Sequence, residues 1–300
     1  MLKPAGTPRP RALATLADYA RLVRLDRPIG IWLLLWPALW GLWIAGAGHP
    51  DEHVFVVFLL GVLLTRSAGC ALNDYADRDL DPHVRRTATR PLATGRVAPA
   101  EALLIWAMLS LLALALVLTL DRRTLWYAAG GAGLMLVYPF LKRFFPLPQV
   151  WLGAAFAWSI PMAFVAQTGA APRLAWLLFV AALLWTTVYD TIYAMVDRDE
   201  DVKLGVKSTA ILFGDADRWV IAAMQGMVLY ALWLAGQQAR LGRWFTLGLI
   251  VGACLFAHQQ WLIRARERDA CFRAFLANNW FGLVIFVAVA LDYAFASGPR

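Results

Sequence analysis

Charge is scarce in this chain. Asp, Glu, Lys and Arg make up only 16% of its 300 residues and 61% are hydrophobic, whereas soluble globular domains average about 25% and about 45–50%. That composition excludes an ordinary soluble domain and makes lipid the solvent for most of the protein. Cysteine is also sparse: Cys70, Cys254 and Cys271 give an odd count with no C-x-x-C, which excludes a disulfide framework and a cysteine zinc site. The four histidines, His49, His53, His83 and His258, are scattered without metal-ligand spacing. No short apolar core with a cleavage site precedes Pro28, so no removable signal peptide is expected. The formal charge of +8 does not imply nucleic acid. Its basic residues lie between apolar runs rather than interleaved with aromatics, and membrane topology and anionic head groups account for them.

What the chain does have is long apolar runs. Residues 1–11 are rich in Pro, Ala and basic side chains, a composition expected to be disordered. Over Ala12–Leu25, Leu13, Leu16, Ala20 and Val23 recur at helical spacing while Arg21 and Arg24 point elsewhere, which predicts an amphipathic surface helix. Residues 1–25 are therefore read as a cytoplasmic N-terminal segment and 26–300 as one transmembrane domain. The first span is expected over Pro28–Ala47, with Pro37 kinking it. Further runs follow at Val54–Leu72, Ala100–Leu120, Leu125–Leu141, Val150–Thr168, Leu174–Val196, Trp219–Gly236, Trp244–Ile263 and Phe275–Ala296. Runs of this length predict an all-α polytopic membrane bundle of about nine transmembrane helices. Most of the 28 lysines and arginines fall in the N-terminal segment and the loops after even-numbered spans. By the positive-inside rule those regions face the cytoplasm.

The scarce acid is concentrated. Of 20 acidic residues, nine lie in two clusters: Asp74, Asp77, Asp79 and Asp81, and Asp190, Asp197, Asp199, Glu200 and Asp201. Each cluster ends an apolar run, an expensive place for charge unless it is used. If the first helix continues, Asn73, Asp77 and Asp81 share one stripe, with Arg66 one heptad earlier; Asp197 and Asp201 repeat the spacing of four. Asp74, Asp79, Asp199 and Glu200 lie off the stripe and read as solvated. Paired aspartates of this kind suit a hard divalent cation. Mg2+ keeps several waters and is commonly held by one or two carboxylates plus phosphate oxygens, so the pattern points to a diphosphate between two helix ends. Arg66, Arg78, Lys142, Arg143, Lys203 and Lys207 are the cations available to neutralise such a group. Hydrophilic interhelical loops would explain any single aspartate, though they have no need of two matching D-x-x-x-D spacings. Lys142 and Arg143 also suit simple cytoplasmic anchors.

Asn73-Asp74-x-x-Asp77-x-x-x-Asp81 and the run Tyr189-Asp190-Thr191-Ile192-Tyr193 through Asp197-Arg198-Asp199-Glu200-Asp201 resemble the two aspartate-rich motifs of UbiA-type membrane prenyltransferases. Arg27-Pro28-Ile29-Gly30, Arg86-Thr87-Ala88-x-Arg90-Pro91-Leu92, Tyr138-Pro139-Phe140-x-Lys142-Arg143, Leu147-Pro148-Gln149 and Lys207-Ser208-Thr209-Ala210 resemble the 4-hydroxybenzoate polyprenyltransferase branch of that family, which serves ubiquinone biosynthesis. The similarity runs from about Arg24 to Tyr293.

The resemblance implies a nine-helix bundle in a bacterial inner membrane, with a cytoplasmic active site and a cavity open laterally to lipid. It implies Mg2+ as cofactor, held by Asn73, Asp77, Asp81, Asp197 and Asp201. Polyprenyl diphosphate and 4-hydroxybenzoate would be the substrates, with Arg66, Asn73, Lys142, Arg143 and Lys203 at the diphosphate and Arg143 also able to meet the aromatic acid. Asp190, Tyr193 and Arg143 would be the catalytic residues. Homogentisate or dihydroxynaphthoate remain alternative acceptors. Two other classes fit less well. CDP-alcohol phosphotransferases carry a D-G-x-x-A-R pattern that is absent here, and a transporter would place its acids near mid-bilayer.

Overall fold

A computed structural model of the chain describes residues 15–295. Among them every regular element is helical. The helices are α1 (Leu16–Leu22), α2 (Ile29–Ala45), α3 (Glu52–Asp77), α4 (Pro99–Val117), α5 (Arg122–Leu141), α6 (Pro148–Ala157), α7 (Ser159–Thr168), α8 (Arg173–Leu204), α9 (Thr209–Phe213), α10 (Asp217–Gln238), α11 (Arg243–Leu262) and α12 (Arg268–Ala294). Eight stretches are long and apolar enough to cross a membrane, with α6 and α7 counted together, and α2 is a shorter ninth apolar helix of 17 residues. The bundle agrees with the all-α reading. Residues 1–11 and the start of the helix expected over Ala12–Leu25 lie outside the described residues; within the rest, α1 runs only over Leu16–Leu22, capped by Thr15, and residues 23–25 form a turn.

Local sequence sets the helix limits. Asp51 caps α3 by accepting from Val54 N at 3.0 Å, and Asp121 caps α5 by accepting from Arg123 N at 2.7 Å. Gly169 and Gly205, at φ 75° and 69°, take the left-handed conformation that ends α7 and α8. The run Val150–Thr168 breaks between α6 and α7 at Trp158. Pro161 lacks the N–H that Ala157 O would otherwise receive. Pro37 lies inside α2, which continues as one helix from Ile29 to Ala45.

The centre of the bundle is α2, α6, α7, α8 and α12. In the most apolar windows of α6–α7 and of α8, 61% is buried, against 11% for α4 and 17% for α5, so α4 and α5 present their apolar sides outward to lipid. Lipid tails are as apolar as leucine, and packing and hydrogen bonds rather than water exclusion must therefore hold the helices together. Trp40, Trp185, Tyr189 and Phe281 are fully or almost fully buried at the centre. Three indoles donate to α12: Trp36 Nε1 to Asn279 Oδ1 at 3.0 Å, Trp40 Nε1 to the Gly282 carbonyl at 3.1 Å, and Trp185 Nε1 to Asn278 Oδ1 at 3.0 Å. Such bonds are each worth about 0.6 kcal/mol in membrane helices, up to about 1.7. Gly153 lets α6 lie against α8, since a Cβ there would stand 2.6 Å from the Leu183 carbonyl. This contact fixes the wall on which the end of α8 meets the start of α6.

Candidate active site

The last turns of α3 and α8, the segment 78–98, and the starts of α6 and α9 converge on one cavity of about 170 Å3. Asn73 and Asp77, four apart on α3, face the same way, and Asn73 Nδ2 donates to Asp77 Oδ2 at 3.0 Å. Lys142, the residue that ends α5, reaches the same oxygen at 2.6 Å. The stripe expected to run on to Asp81 stops at Asp77. The chain turns over Arg78–Leu80, and Asp81 opens a 3-10 turn, Asp81–His83. Pro82 explains the break, because it has no N–H for the Arg78 carbonyl and its ring crowds that carbonyl, so a regular α-helix cannot run on through it. Asp81 nevertheless lines the cavity with Asp77.

The segment 78–98 folds back over both acidic helices. Arg86 donates to Asp197 Oδ2 from Nε at 2.8 Å and Nη2 at 2.5 Å, and from Nη1 to Tyr193 Oη at 2.6 Å. Its guanidinium carbon lies 4.6 Å from the Tyr193 ring centroid. Arg90 bridges Asp81 Oδ2 at 2.9 Å and Asp74 Oδ1 at 3.0 Å. Burial alone would lower the pKa of both arginines. Tyr193 and Asp197 outweigh it for Arg86, and Asp74 and Asp81 for Arg90, so both lie above the ordinary value and stay cationic. Glu200 joins the clasp, accepting from Arg85 N at 3.3 Å and pairing with Arg268 at 3.0 Å.

Asp74, expected to be solvated, is wholly buried. It pairs with Arg24 of the N-terminal segment at 2.6 Å as well as with Arg90. Its partners arrive from sequence-distant segments, so helical phase alone could not place it. Asp79, by contrast, is exposed.

Beside this cavity lies a larger one of about 1090 Å3, sharing Asn73, Arg86, Arg90, Tyr138, Asp190, Tyr193 and Asp197. Its inner wall is apolar and aromatic, with Leu33, Met135, Leu152, Phe156, Tyr189, Phe272 and Phe275. Its rim is basic, carrying Arg21, Arg24, Arg27, Arg85 and Arg96. Arg66 lines this cavity alone. It donates from Nη1 to Cys70 Sγ at 2.9 Å, lies 5.9 Å from the Phe156 ring centroid, and makes no salt bridge among the described residues. Its buried Nε has no hydrogen-bond partner. Gly30, on the first turn of α2, makes room for that guanidinium, since a Cβ there would meet Arg66 Cζ at 2.8 Å.

Asn73, Asp77, Asp81, Lys142, Asp190, Tyr193, Asp197, Asp201 and Lys207 all line the smaller cavity. Arg143 and Lys203 do not. Arg143 turns outward and its Nη2 donates to the Ala76 carbonyl near the end of α3. Lys203 is exposed in the last turn of α8, two residues past Asp201 and so on a different helical face. Arg78 also stays outside, paired with Asp79 at 3.7 Å. Sequence reasoning assigned no role to Arg24, Arg86, Arg90 or Gln149. The signal available for two of them was Arg86 and Arg90, four apart, in a short segment directly after four carboxylates.

The donor set of the smaller cavity suits a divalent cation. Asp77 Oδ1 and Asp197 Oδ1 are buried without a hydrogen-bond partner, and both residues line the smaller cavity. Among the described residues no three His, Cys, Asp or Glu side chains form a complete metal group. Two helix ends that each offer one spare carboxylate oxygen fit a Mg2+ whose remaining ligands are water and substrate phosphate.

The UbiA prenyltransferase family model matches residues 34–288. A 4-hydroxybenzoate octaprenyltransferase of Saccharophagus degradans is 57% identical over 279 residues, 93% of either chain. One from Alkalilimnicola ehrlichii is 58% identical over 275 residues, 92% of this chain and 94% of the relative. The apo structure of a UbiA homolog from Aeropyrum pernix superposes with a TM-score of 0.78 at 26% identity, covering 87% of this chain and 97% of that one. A UbiA homolog from Archaeoglobus fulgidus bound to GPP and Mg2+ shares the fold, with a TM-score of 0.65 at 19% identity over 91% of this chain and 99% of that one.

Proposed function

The chain belongs to the UbiA prenyltransferase family, and from that premise we propose that it transfers a polyprenyl group from polyprenyl diphosphate to the ring carbon ortho to the hydroxyl of 4-hydroxybenzoate. The observation that carries the reading is the pair of partnerless buried oxygens, Asp77 Oδ1 and Asp197 Oδ1, on two different helices of one cavity. The relatives named above act on this acceptor by name, and the Archaeoglobus protein binds a prenyl diphosphate with Mg2+.

Asp77 and Asp197, supported by Asn73, Asp81 and Asp201, would hold Mg2+. Bound there, the metal supplies charge neutralisation at the diphosphate, a Lewis-acid contribution of several kcal/mol. Lys142, Arg86 and Arg90 border the same space and offset the charge that develops as the carbon–oxygen bond breaks and pyrophosphate leaves with the electron pair. The allylic cation faces the rings of Tyr189, Tyr193 and Phe275, which stabilise it through their π faces. Attack by the aromatic ring forms the new carbon–carbon bond. Asp190, on the wall common to both cavities, accepts the proton whose loss restores aromaticity. Arg66 suits the acceptor's carboxylate, because it lines the larger cavity, its buried Nε has no hydrogen-bond partner and it makes no salt bridge among the described residues. The prenyl tail lies along the apolar wall and into lipid, where it is not exposed to water. The excess of basic residues on the side of the acidic clusters supports a site at the cytoplasmic face of a bacterial inner membrane.

Acceptor competition tests the assignment. Membranes carrying the protein are given radiolabelled polyprenyl diphosphate, Mg2+ and equal 4-hydroxybenzoate, homogentisate and dihydroxynaphthoate. Label in prenylated hydroxybenzoate supports the reading. Label in another phenol leaves the diphosphate site standing and replaces the acceptor.

A further inference from the structure

One polar group of the smaller cavity belongs to neither the aspartate pattern nor the cations. Gln149 sits in the first turn of α6 and is only 7% exposed. Its Oε1 accepts from Thr209 N at 2.9 Å. Thr209 Oγ1 lies 2.7 Å from Thr191 Oγ1, which in turn donates to the Thr187 carbonyl at 2.6 Å. A backbone N–H can only donate, so the amide atom facing it is the oxygen and the orientation of the side chain is fixed. Nε2 is left with two N–H groups and no hydrogen-bond partner among the described residues, in a side chain that lines the cavity with Lys142, Lys207 and Ser208. A donor held in place at the wall of a cavity is completed by water or by a ligand that enters it, and anionic oxygens are the stronger acceptors.

We propose that Gln149 is a substrate-binding residue whose Nε2 donates to an oxygen of the prenyl diphosphate. The proposal rests on the reading of this cavity as the diphosphate site. Lys142 is already committed to Asp77, Arg86 to Asp197, and Arg90 to Asp74 and Asp81. The amide is neutral and no carboxylate claims it, so it gives the diphosphate a donor without first breaking an ion pair. It also fixes the ligand from the α6–α9 wall, away from the aspartates on α3.

The test uses the purified full-length protein with Mg2+, measuring the Kd of inorganic pyrophosphate by calorimetry and KM for each substrate. Q149E keeps an oxygen for Thr209 N and replaces the donor with a negative oxygen. The expected result is a pyrophosphate Kd raised about tenfold or more, as for a lost hydrogen bond to a charged group. KM for prenyl diphosphate should rise with it, while KM for 4-hydroxybenzoate and the melting temperature stay at wild-type values. Q149M removes both amide atoms and should likewise raise KM for the diphosphate and not for the acceptor. Because the charge added by Q149E would itself repel pyrophosphate, Q149M decides: if Gln149 served only to satisfy Thr209 N, Q149M would melt lower yet bind pyrophosphate like wild type, which overturns the proposal. A change confined to KM for the acceptor also overturns it. Wild-type protein that binds no pyrophosphate would instead overturn the underlying reading of the cavity.

Discussion

Replacing Asp74 by alanine should loosen the N-terminal segment from the bundle and destabilise the site without touching the proposed metal ligands. Two guanidinium groups converge on one oxygen of this carboxylate, Arg24 at 2.6 Å and Arg90 at 3.0 Å, and the side chain is 1% exposed. Removing one partner of a buried ion pair costs about 3–5 kcal/mol. Arg90 retains Asp81 at 2.9 Å, and Arg24, with 21% of its side chain exposed, can turn to water. The cost should therefore fall at the lower end, about 3 kcal/mol. Asp74→Asn keeps an acceptor oxygen and should cost less. Thermal denaturation in detergent reads the stability, and limited trypsin digestion reads the segment, since the bonds after Arg21 and Arg24 become cleavable once Arg24 is released. An Asp74→Ala protein with wild-type melting and an unchanged tryptic pattern would refute the claim that this carboxylate ties the segment down.

Lys142 and Arg143 are neighbours in sequence and should behave differently. Lys142→Ala removes a cavity cation and strands the buried Asp77 carboxylate, so transfer should fall by about 100-fold or more. Arg143→Ala loses only a bond to a backbone carbonyl, and kcat/KM should stay within about fivefold of wild type; equal losses in the two variants would contradict the geometry. Gly30→Ala places a methyl against the Arg66 guanidinium. KM for 4-hydroxybenzoate should rise about tenfold, the loss of one charged hydrogen bond, with KM for the prenyl diphosphate unchanged. The reverse pattern would move Arg66 to the diphosphate.

The apolar runs were legible because hydrocarbon thickness fixes their length, and both acidic clusters because charge at the end of such a run stands out against it. Helical phase placed Asn73 with Asp77 and Asp197 with Asp201 correctly on shared faces. It failed at Asp81, where Pro82 turns the chain, although the 3-10 turn returns that carboxylate to the same cavity. The segment 78–98 has no hydrophobic period from which its path could be read, so the clasp of Arg86 on Asp197 and of Arg90 on Asp74 and Asp81 emerges only in three dimensions. Asp74 shows the same limit. Its position off the stripe suggested water, and its burial depends on Arg24, which lies fifty residues away in sequence. Arg143 and Lys203 carried the right charge near the right motifs. A single residue's rotation about the helix decides whether such a cation meets the cavity or the solvent.

On the proposed function, the ends of α3 and α8 hold a divalent cation and a diphosphate between them. Product formation by the purified protein from 4-hydroxybenzoate and polyprenyl diphosphate, measured with Mg2+, after EDTA and after Mg2+ is restored, tests it most directly. Asp77→Asn and Asp197→Asn should be assayed alongside as folded variants. Prenylated hydroxybenzoate should disappear with EDTA, return with Mg2+, and be absent from both variants. Undiminished product in EDTA, or wild-type rates from either variant, would contradict it.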